Sequence, residues 1–381
     1  MNTGYTALES DNADELRLKL SNNETDLDYW HELINAYNIR PLSREGYFWT
    51  GIYLVIVGTI ATVGNALVIL TLCRNRKLRR KPHNQLLFNL AISDIGISLF
   101  GYPLTTASSF AGRYLFGRVG CLIQGFTCFT LAQANINTLA FLSVYRYVSV
   151  CYPEHSYYLN FATRKVIVCL WVYALMWTVP PLIGWSAYTF EPFGTSCSVD
   201  WSSTEKGSVA YTWCLIVYCY TVHIVLMAYC YYKIVKKAWS VRGNLNTTVV
   251  GGLKLSEGAF LHKMRRERRV TLIALAITIS FILLWSPYTF VSLWSVYCRD
   301  LPIWVTTLPT MFAKASCMIN PLLYYFTNPS FRQNITILFT KDHLGSHIRK
   351  RPLYMYRVDK TKDGVYIGQG TLIRRCESVM F

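Results

Sequence analysis

The stretch that decides the fold is Trp304–Thr327, WVTTLPTMFAKASCMINPLLYYFT. At about 1.5 Å per residue, a helix of this length crosses the roughly 30 Å of hydrocarbon in a bilayer. Lys314 lies about ten residues in, roughly 15 Å deep and near the midplane. A lysine there costs at least about 3 kcal/mol on the mildest insertion scale. Such a side chain either snorkels or pairs with an acid, or its amine is used chemically, as in Schiff-base formation with a carbonyl ligand. The distance to water from mid-span favours the chemical use.

Working outward, the chain is 52% hydrophobic and only 15% charged, too apolar for an ordinary soluble protein of 381 residues. Six further runs of about 20 or more mostly apolar residues complete a set of seven. They are Tyr47 to Cys73, Asn84 to Phe110, Val119 to Cys151, Lys165 to Trp185, Val209 to Lys233 and Val270 to Tyr297. Alternating ten-residue strands, which a transmembrane barrel needs, do not occur. The expected fold is therefore an all-α membrane protein, a seven-helix transmembrane bundle.

The net charge of +17 does not point to nucleic acid, because it is concentrated in loops on one side. Arg74–Lys81 follows the first span, Lys263–Arg269 precedes the sixth, and Lys and Arg recur after the seventh. Excess positive charge marks the cytoplasmic side, so the N terminus is expected outside and the C terminus inside, at the plasma membrane. No cleavable signal peptide is evident, and the first span is expected to direct insertion. Asn23 opens a glycosylation sequon on the outer side; the similar triplet at Asn334 lies inside and is expected to stay unmodified.

Most of the twelve cysteines lie within spans, as small buried hydrophobes. Cys121 opens the third span and Cys197 lies in the loop between the fourth and fifth. Both face an oxidising compartment, so they are expected to pair. Cys298 has no evident mate, and Cys376 could carry a lipid. Three parts follow: an outer tail, 1–46; the bundle, 47–327; and an inner segment, 328–381. The last begins with Phe331, Ile335, Leu338 and Phe339 at helical spacing beside Arg332 and Lys341. This reads as a short amphipathic helix lying on membrane lipid or packed on the bundle. The loop Ala238 to Arg269, with Gly243, Gly251-Gly252 and Gly258, reads as flexible at first and then as an inward extension of the sixth helix. The chain ends Ser378-Val-Met-Phe381, a pattern that a strand-adding domain could capture, although a disordered tail is the simpler reading.

Polar residues recur at membrane depth: Gly64-Asn65, Asn89 through Asp94, Tyr145-Arg146-Tyr147, Trp171, Trp285-Ser-Pro287-Tyr288 and Asn320-Pro321-Leu-Leu-Tyr324, followed by Phe331. In this order, over nearly all of residues 50–332, the set resembles the rhodopsin-like class of G-protein-coupled receptors. Lipid would penalise Asn65, Asp94 and Asn320, so they are expected to face one another. Pro287 and Pro321 each remove a backbone bond and give their helices a place to bend. Lys314, six residues before Asn320, matches the retinal-binding lysine of opsins. The resemblance implies retinal, 11-cis or all-trans, bound covalently to Lys314, with Trp285 and Tyr288 beside it. In vertebrate visual opsins a glutamate stands three residues after the helix-three cysteine. Here that residue is Gln124, which carries no charge, and Glu191, six before Cys197, is the replacement counterion. An exposed loop glutamate is the alternative. The phrase from Glu191 to Cys197 resembles the neuropsin, peropsin and retinal photoisomerase branch, which implies a photoreversible pigment.

Three departures bear on coupling. Tyr145 replaces the acid that usually precedes Arg146, so Arg146 is expected to lack its adjacent partner and the inactive state to be less firmly held. His223, eight before Tyr231, replaces the proline of the fifth span, so that helix is expected to be straighter; the histidine either tunes a pH response or simply packs. Asn328-Pro329-Ser330 differs from visual opsins. The resemblance implies a light receptor that opens its inner face to a heterotrimeric G protein through Arg146 and Tyr147, with Asp94, Asn320, Pro321, Tyr324 and Tyr231 in the switch. Arrestin is a further partner it allows. The alternatives are a retinal photoisomerase with little signalling and a retinal-free receptor for a diffusible ligand. A conventional enzyme is not expected, for lack of a metal cluster, phosphate loop or hydrolase triad.

Overall fold

The computed structural model describes residues 34, 39–247, 254–298, 300–327, 331–336, 356–361 and 364–369. Asn23, Cys376 and Ser378–Phe381 lie outside them, as do Leu338, Phe339 and Lys341. Seven long helices form the first compact unit, which extends to Arg332. They are α1, Arg44–Arg74; α2, Pro82–Phe100, resuming as Tyr102–Ala111; α3, Gly117–Cys151; α4, Ser156–Thr178; α5, running from Lys206 to Thr247; α6, Lys254–Tyr297; and α7, Ile303–Thr327. Six are apolar enough to span a membrane by composition alone. The seventh, α7, is diluted by Lys314, Asn320 and a run of threonines, several of which are buried inside the bundle. A hydropathy reading undervalues such a helix because its polar side chains face protein, not lipid.

α3 is the hub: it packs against α2, α4, α5 and both strands of the loop above it. That loop carries β1, Tyr188–Phe190, and β2, Cys197–Val199, paired antiparallel with Phe190 opposite Cys197. The Cys121–Cys197 disulfide ties it to the start of α3. Gly125 lets the loop approach closely, since a Cβ there would sit 2.8 Å from Tyr188. A second compact unit, Gln333–Phe381, holds β3, Tyr356–Thr361, and β4, Gly364–Gln369, antiparallel with Tyr356 opposite Gln369.

The structure differs from expectation at several points. α4 starts at Ser156 and ends at Thr178, followed by a single turn, Pro180–Leu182. Two consecutive prolines offer no backbone donors, so the helix stops there and Trp185 lies in the loop. α6 begins at Lys254, the expected inward extension of the sixth span, while α5 runs further than expected, to Thr247. Leu215–Thr221 of α5 is a π-helical bulge that ends two residues before His223, and Val222 donates to the Val217 carbonyl five residues back. The segment before α1 is not wholly loose: Ile39 is buried against Tyr114, Cys121, Phe190 and Cys197, and Ser43 caps α1. Phe331, in the short helix 331–336, is buried with its ring 6.3 Å from that of Tyr324.

Candidate functional site

Between α2, α3, α5, α6 and α7 and the β1–β2 loop lies a cavity of about 160 Å³. Its walls are mainly apolar and aromatic, including Phe129, Trp201, Phe281 and Trp285. Lys314 of α7 enters from one wall, and its Nζ donates to Ser196 Oγ of the loop at 3.2 Å. Two tyrosines hold the backbone of this part of α7. Tyr53 donates to the Met311 carbonyl at 2.9 Å, and Tyr102 to the carbonyl of Lys314 itself.

Glu191 also lines the cavity and is only 5% exposed, so it is not a surface glutamate. The β1–β2 turn holds it by two backbone bonds: Glu191 N–H to the Ser196 carbonyl and Gly194 N–H to the Glu191 carbonyl, both 2.8 Å. Its carboxylate accepts from the Tyr288 hydroxyl at 2.9 Å, and that hydroxyl accepts from Trp201 Nε1 at 2.8 Å. Burial pushes the Glu191 carboxyl above the ordinary carboxylate range, while bonds from Ser198 and Tyr288 and the charge of Lys314 pull it back. Trp285 closes the floor, stacked on Phe281 and bonded through Nε1 to Ser316 Oγ at 3.1 Å.

Gln124 departs from expectation. It does not line the cavity. Its amide carbonyl accepts from Tyr114 at 2.9 Å, and its NH2 donates to the Gly101 carbonyl at 3.0 Å and Thr105 Oγ1 at 2.8 Å. A fully bonded amide turned between α2 and α3 is a clamp on the Gly101 kink. His223 is likewise absent from the cavity wall and packs beside Tyr173, with ring centroids 5.9 Å apart.

Below the cavity, Asp94 accepts from Asn135 at 2.7 Å and Asn320 at 2.8 Å. Asn65 is not in that cluster; it donates to the carbonyls of Ala61 and Cys317, both at 2.9 Å. Asn135 was missed in the sequence, although a buried asparagine mid-way along α3 is itself a signal. Further down, Arg146 is not without a partner. Its Nη2 meets Glu267 Oε2 at 2.9 Å and Thr271 Oγ1 at 2.8 Å on α6. Tyr145 instead turns to Asn160 of α4 at 3.2 Å. Glu267 is the one acid in the basic run Lys263–Arg269, and that isolation was the legible clue. Tyr231 reaches Thr278 of α6 at 3.3 Å, Tyr147 packs against Tyr152 and Tyr229, and Tyr324 is buried with Phe331.

A family profile described as "7 transmembrane receptor (rhodopsin family)" matches residues 64–324. The chain belongs to the rhodopsin family of seven-transmembrane receptors. Its relatives are opsins. The receptor is 34% identical to "Rhodopsin, G0-coupled" of Mizuhopecten yessoensis over 75% of this chain and 70% of that protein. It is 32% identical to human "Opsin-5" over 76% and 81%, and 29% identical to human "Visual pigment-like receptor peropsin" over 75% and 83%. The crystal structure of squid rhodopsin superposes with a TM-score of 0.72 at 28% identity, covering 80% of this chain and 88% of that one.

The chemistry available to the receptor's cavity is specific. A primary amine surrounded by apolar walls can condense with an aldehyde. A buried carboxylate in the same cavity can balance a cation that those walls could not otherwise hold. Among the described residues, no cluster of side chains suits a metal ion.

Proposed function

We propose that this receptor is a light sensor that holds retinal as a Schiff base on Lys314, with Glu191 as counterion. The reading is carried by one observation. Lys314 and Glu191 line the same aromatic cavity, under a loop held down by the Cys121–Cys197 disulfide. The donor set fits a long apolar aldehyde: aromatic walls for its body, one amine for its carbonyl, and one buried carboxylate for the resulting charge. When bound, the chromophore supplies light absorption and a photoisomerising double bond. The protein's part is to fix the amine, exclude water and bias helix positions.

Gln124 carries no charge and is spent on the Gly101 kink, which leaves the loop carboxylate to balance Lys314. By resemblance, a counterion in that loop goes with a photoreversible pigment. The Arg146–Glu267 pair supports a signalling receptor more than a pure photoisomerase, because it is a breakable tie between α3 and α6 at the end facing away from the lid. In this reading the lid faces outside at the plasma membrane. The Arg146 end meets a heterotrimeric G protein, and arrestin afterwards.

The test is an absorption spectrum of purified protein given 11-cis or all-trans retinal, in the dark and after illumination, with borohydride trapping. Wild type is expected to form a pigment trapped at Lys314, and Lys314→Ala none. Protein that stays colourless in the visible and ultraviolet with both isomers overturns the proposal. Light-driven isomer turnover without nucleotide exchange on any G protein would favour the photoisomerase.

A further inference from the structure

We infer that Trp201 is a positioning residue that commits the Tyr288 hydroxyl to Glu191 and so favours the anionic form of Glu191, an inference that deepens the counterion role proposed above and rests on that reading. Trp201 Nε1 donates to the Tyr288 hydroxyl at 2.8 Å, and that hydroxyl donates to Glu191 Oε1 at 2.9 Å. An indole nitrogen can only donate, and a phenol has one proton to give. With the indole N–H on its oxygen, Tyr288 has its proton left for Glu191. A neutral carboxylic acid would need an acceptor for its own proton, and the Tyr288 oxygen already receives one. The row of donors therefore fits a carboxylate better than an acid. Burial works the other way, towards the acid, and the bond from Tyr288 opposes it.

The loop builds this geometry locally. β2 ends at Val199, and the Asp200 N–H still donates to the Ala187 carbonyl at 2.9 Å. The Asp200 carboxylate then accepts from Ser202 N–H and Ser202 Oγ, both at 3.0 Å, and from Ser203 N–H at 3.1 Å. That turn fixes the backbone on both sides of Trp201. The indole packs against the cluster of Val199, Tyr211, Leu215 and Cys219, and meets the Tyr288 ring edge-on with centroids 6.0 Å apart. Trp201, Tyr288 and Glu191 together line both the ligand cavity and a smaller one of about 60 Å³ that shares this wall. The other charged groups on those walls are Lys314 in the first, and Arg40 and Asp200 in the second. Arg40 engages the Leu301 carbonyl and Asp300, and Asp200 holds the turn just described. The state of Glu191 is thus set from α6 as well as from its own loop, through a hydroxyl aimed by Trp201.

The experiment follows the carboxylic C=O stretching band of Glu191, identified by its loss in Glu191→Gln, in infrared titrations of the purified full-length apoprotein. Trp201→Phe keeps a ring and removes the N–H, and is expected to move the titration midpoint to higher pH. In a Tyr288→Phe background the same substitution is expected to move it no further, because the indole then has no hydroxyl through which to act. An unmoved midpoint in Trp201→Phe, or an equal shift in both backgrounds, overturns the relay. A second readout leaves Trp201 in place: Tyr288→Phe is expected to move one indole N–H stretching component to higher frequency, and an unmoved spectrum overturns the relay. With retinal bound, the acid transition of the visible band is expected at higher pH in Trp201→Phe than in wild type. Identical transitions overturn the role at the counterion. Failure of wild type to form any pigment, with the apoprotein shifts present, overturns the retinal reading while supporting the relay.

Discussion

Asn65 of α1 donates to the Cys317 carbonyl of α7 at 2.9 Å, and that carbonyl is the one Pro321 leaves without its helical donor. A proline at 321 has no N–H for the residue four back. Gly64 makes the arrangement possible: a Cβ there would lie 2.7 Å from the Pro321 ring, so only glycine lets α1 come this close. The Gly64-Asn65 pair is thus the complement of the proline kink on another helix.

Asn65→Ala should destabilise the apoprotein by about 1–3 kcal/mol, the cost of a buried carbonyl left without a donor. Pro321→Ala restores an N–H at that position. In the double variant the Cys317 carbonyl regains a partner, so the loss should be smaller than the sum of the two single effects. Thermal unfolding of all four proteins measures the coupling. Strict additivity would mean that Asn65 does not compensate for the proline.

Glu267→Gln should raise dark nucleotide exchange on the coupled G protein. Arg146 is nearly buried, but Glu267 is 42% exposed, so the pair is partly screened. An interaction of this kind contributes about 0.5–1 kcal/mol, or about two- to fivefold in the ratio of closed to open bundle. Thr271→Val, which removes the second partner of Arg146, should act in the same direction. Unchanged basal exchange in both would show that the tie does not hold the resting state.

Much of the site was legible because polar groups at membrane depth need a reason. Lys314, Asp94 and Asn320 stand out against apolar neighbours for that cause. Cys121 and Cys197 could be paired from the side of the membrane each faces. What escaped was long-range partnership. Nothing local to Tyr145-Arg146 announces an acid on another helix, and the bonds of Gln124 depend on a kink in α2. The π-bulge of α5 arises without a proline, so no breaker residue flags it. Ile39 and Arg40 lie in a polar stretch whose packing depends on a loop well over a hundred residues away.

Arg40→Ala should speed dark attack of hydroxylamine on the pigment. The Arg40 N–H donates to the Pro192 carbonyl at 2.7 Å, and its guanidinium donates to the Leu301 carbonyl at 2.6 Å. It thereby straps the lid to the turn between α6 and α7. Beneath it lies a second cavity of about 60 Å³, whose wall shares Glu191, Trp201 and Tyr288 with the first. The guanidinium also pairs with the exposed Asp300 at 3.5 Å, which adds little; losing the charge-assisted bond to Leu301, about 1.5 kcal/mol, should make opening about tenfold more frequent. An unchanged bleaching rate would place the access route elsewhere.

Glu191 makes a pH-dependent prediction whose sign can be worked out. Burial raises its carboxyl above the ordinary range, so the folded apoprotein holds this proton more tightly than the unfolded chain does. The stability that this contributes is full below the unfolded value of about 4.3 and is lost as pH rises through the folded value. The thermal midpoint of wild-type apoprotein should therefore decline across that window, and Glu191→Gln should remove this part of the decline. A protonated Schiff base keeps the positive charge that Lys314 already carries and, among apolar walls, needs a carboxylate to balance it, so the loaded wild type should keep a visible band at neutral pH. Glu191→Gln has no charge to offer and should lose that band to the ultraviolet. A visible band that survives in the glutamine variant at neutral pH would assign the counterion to some other group.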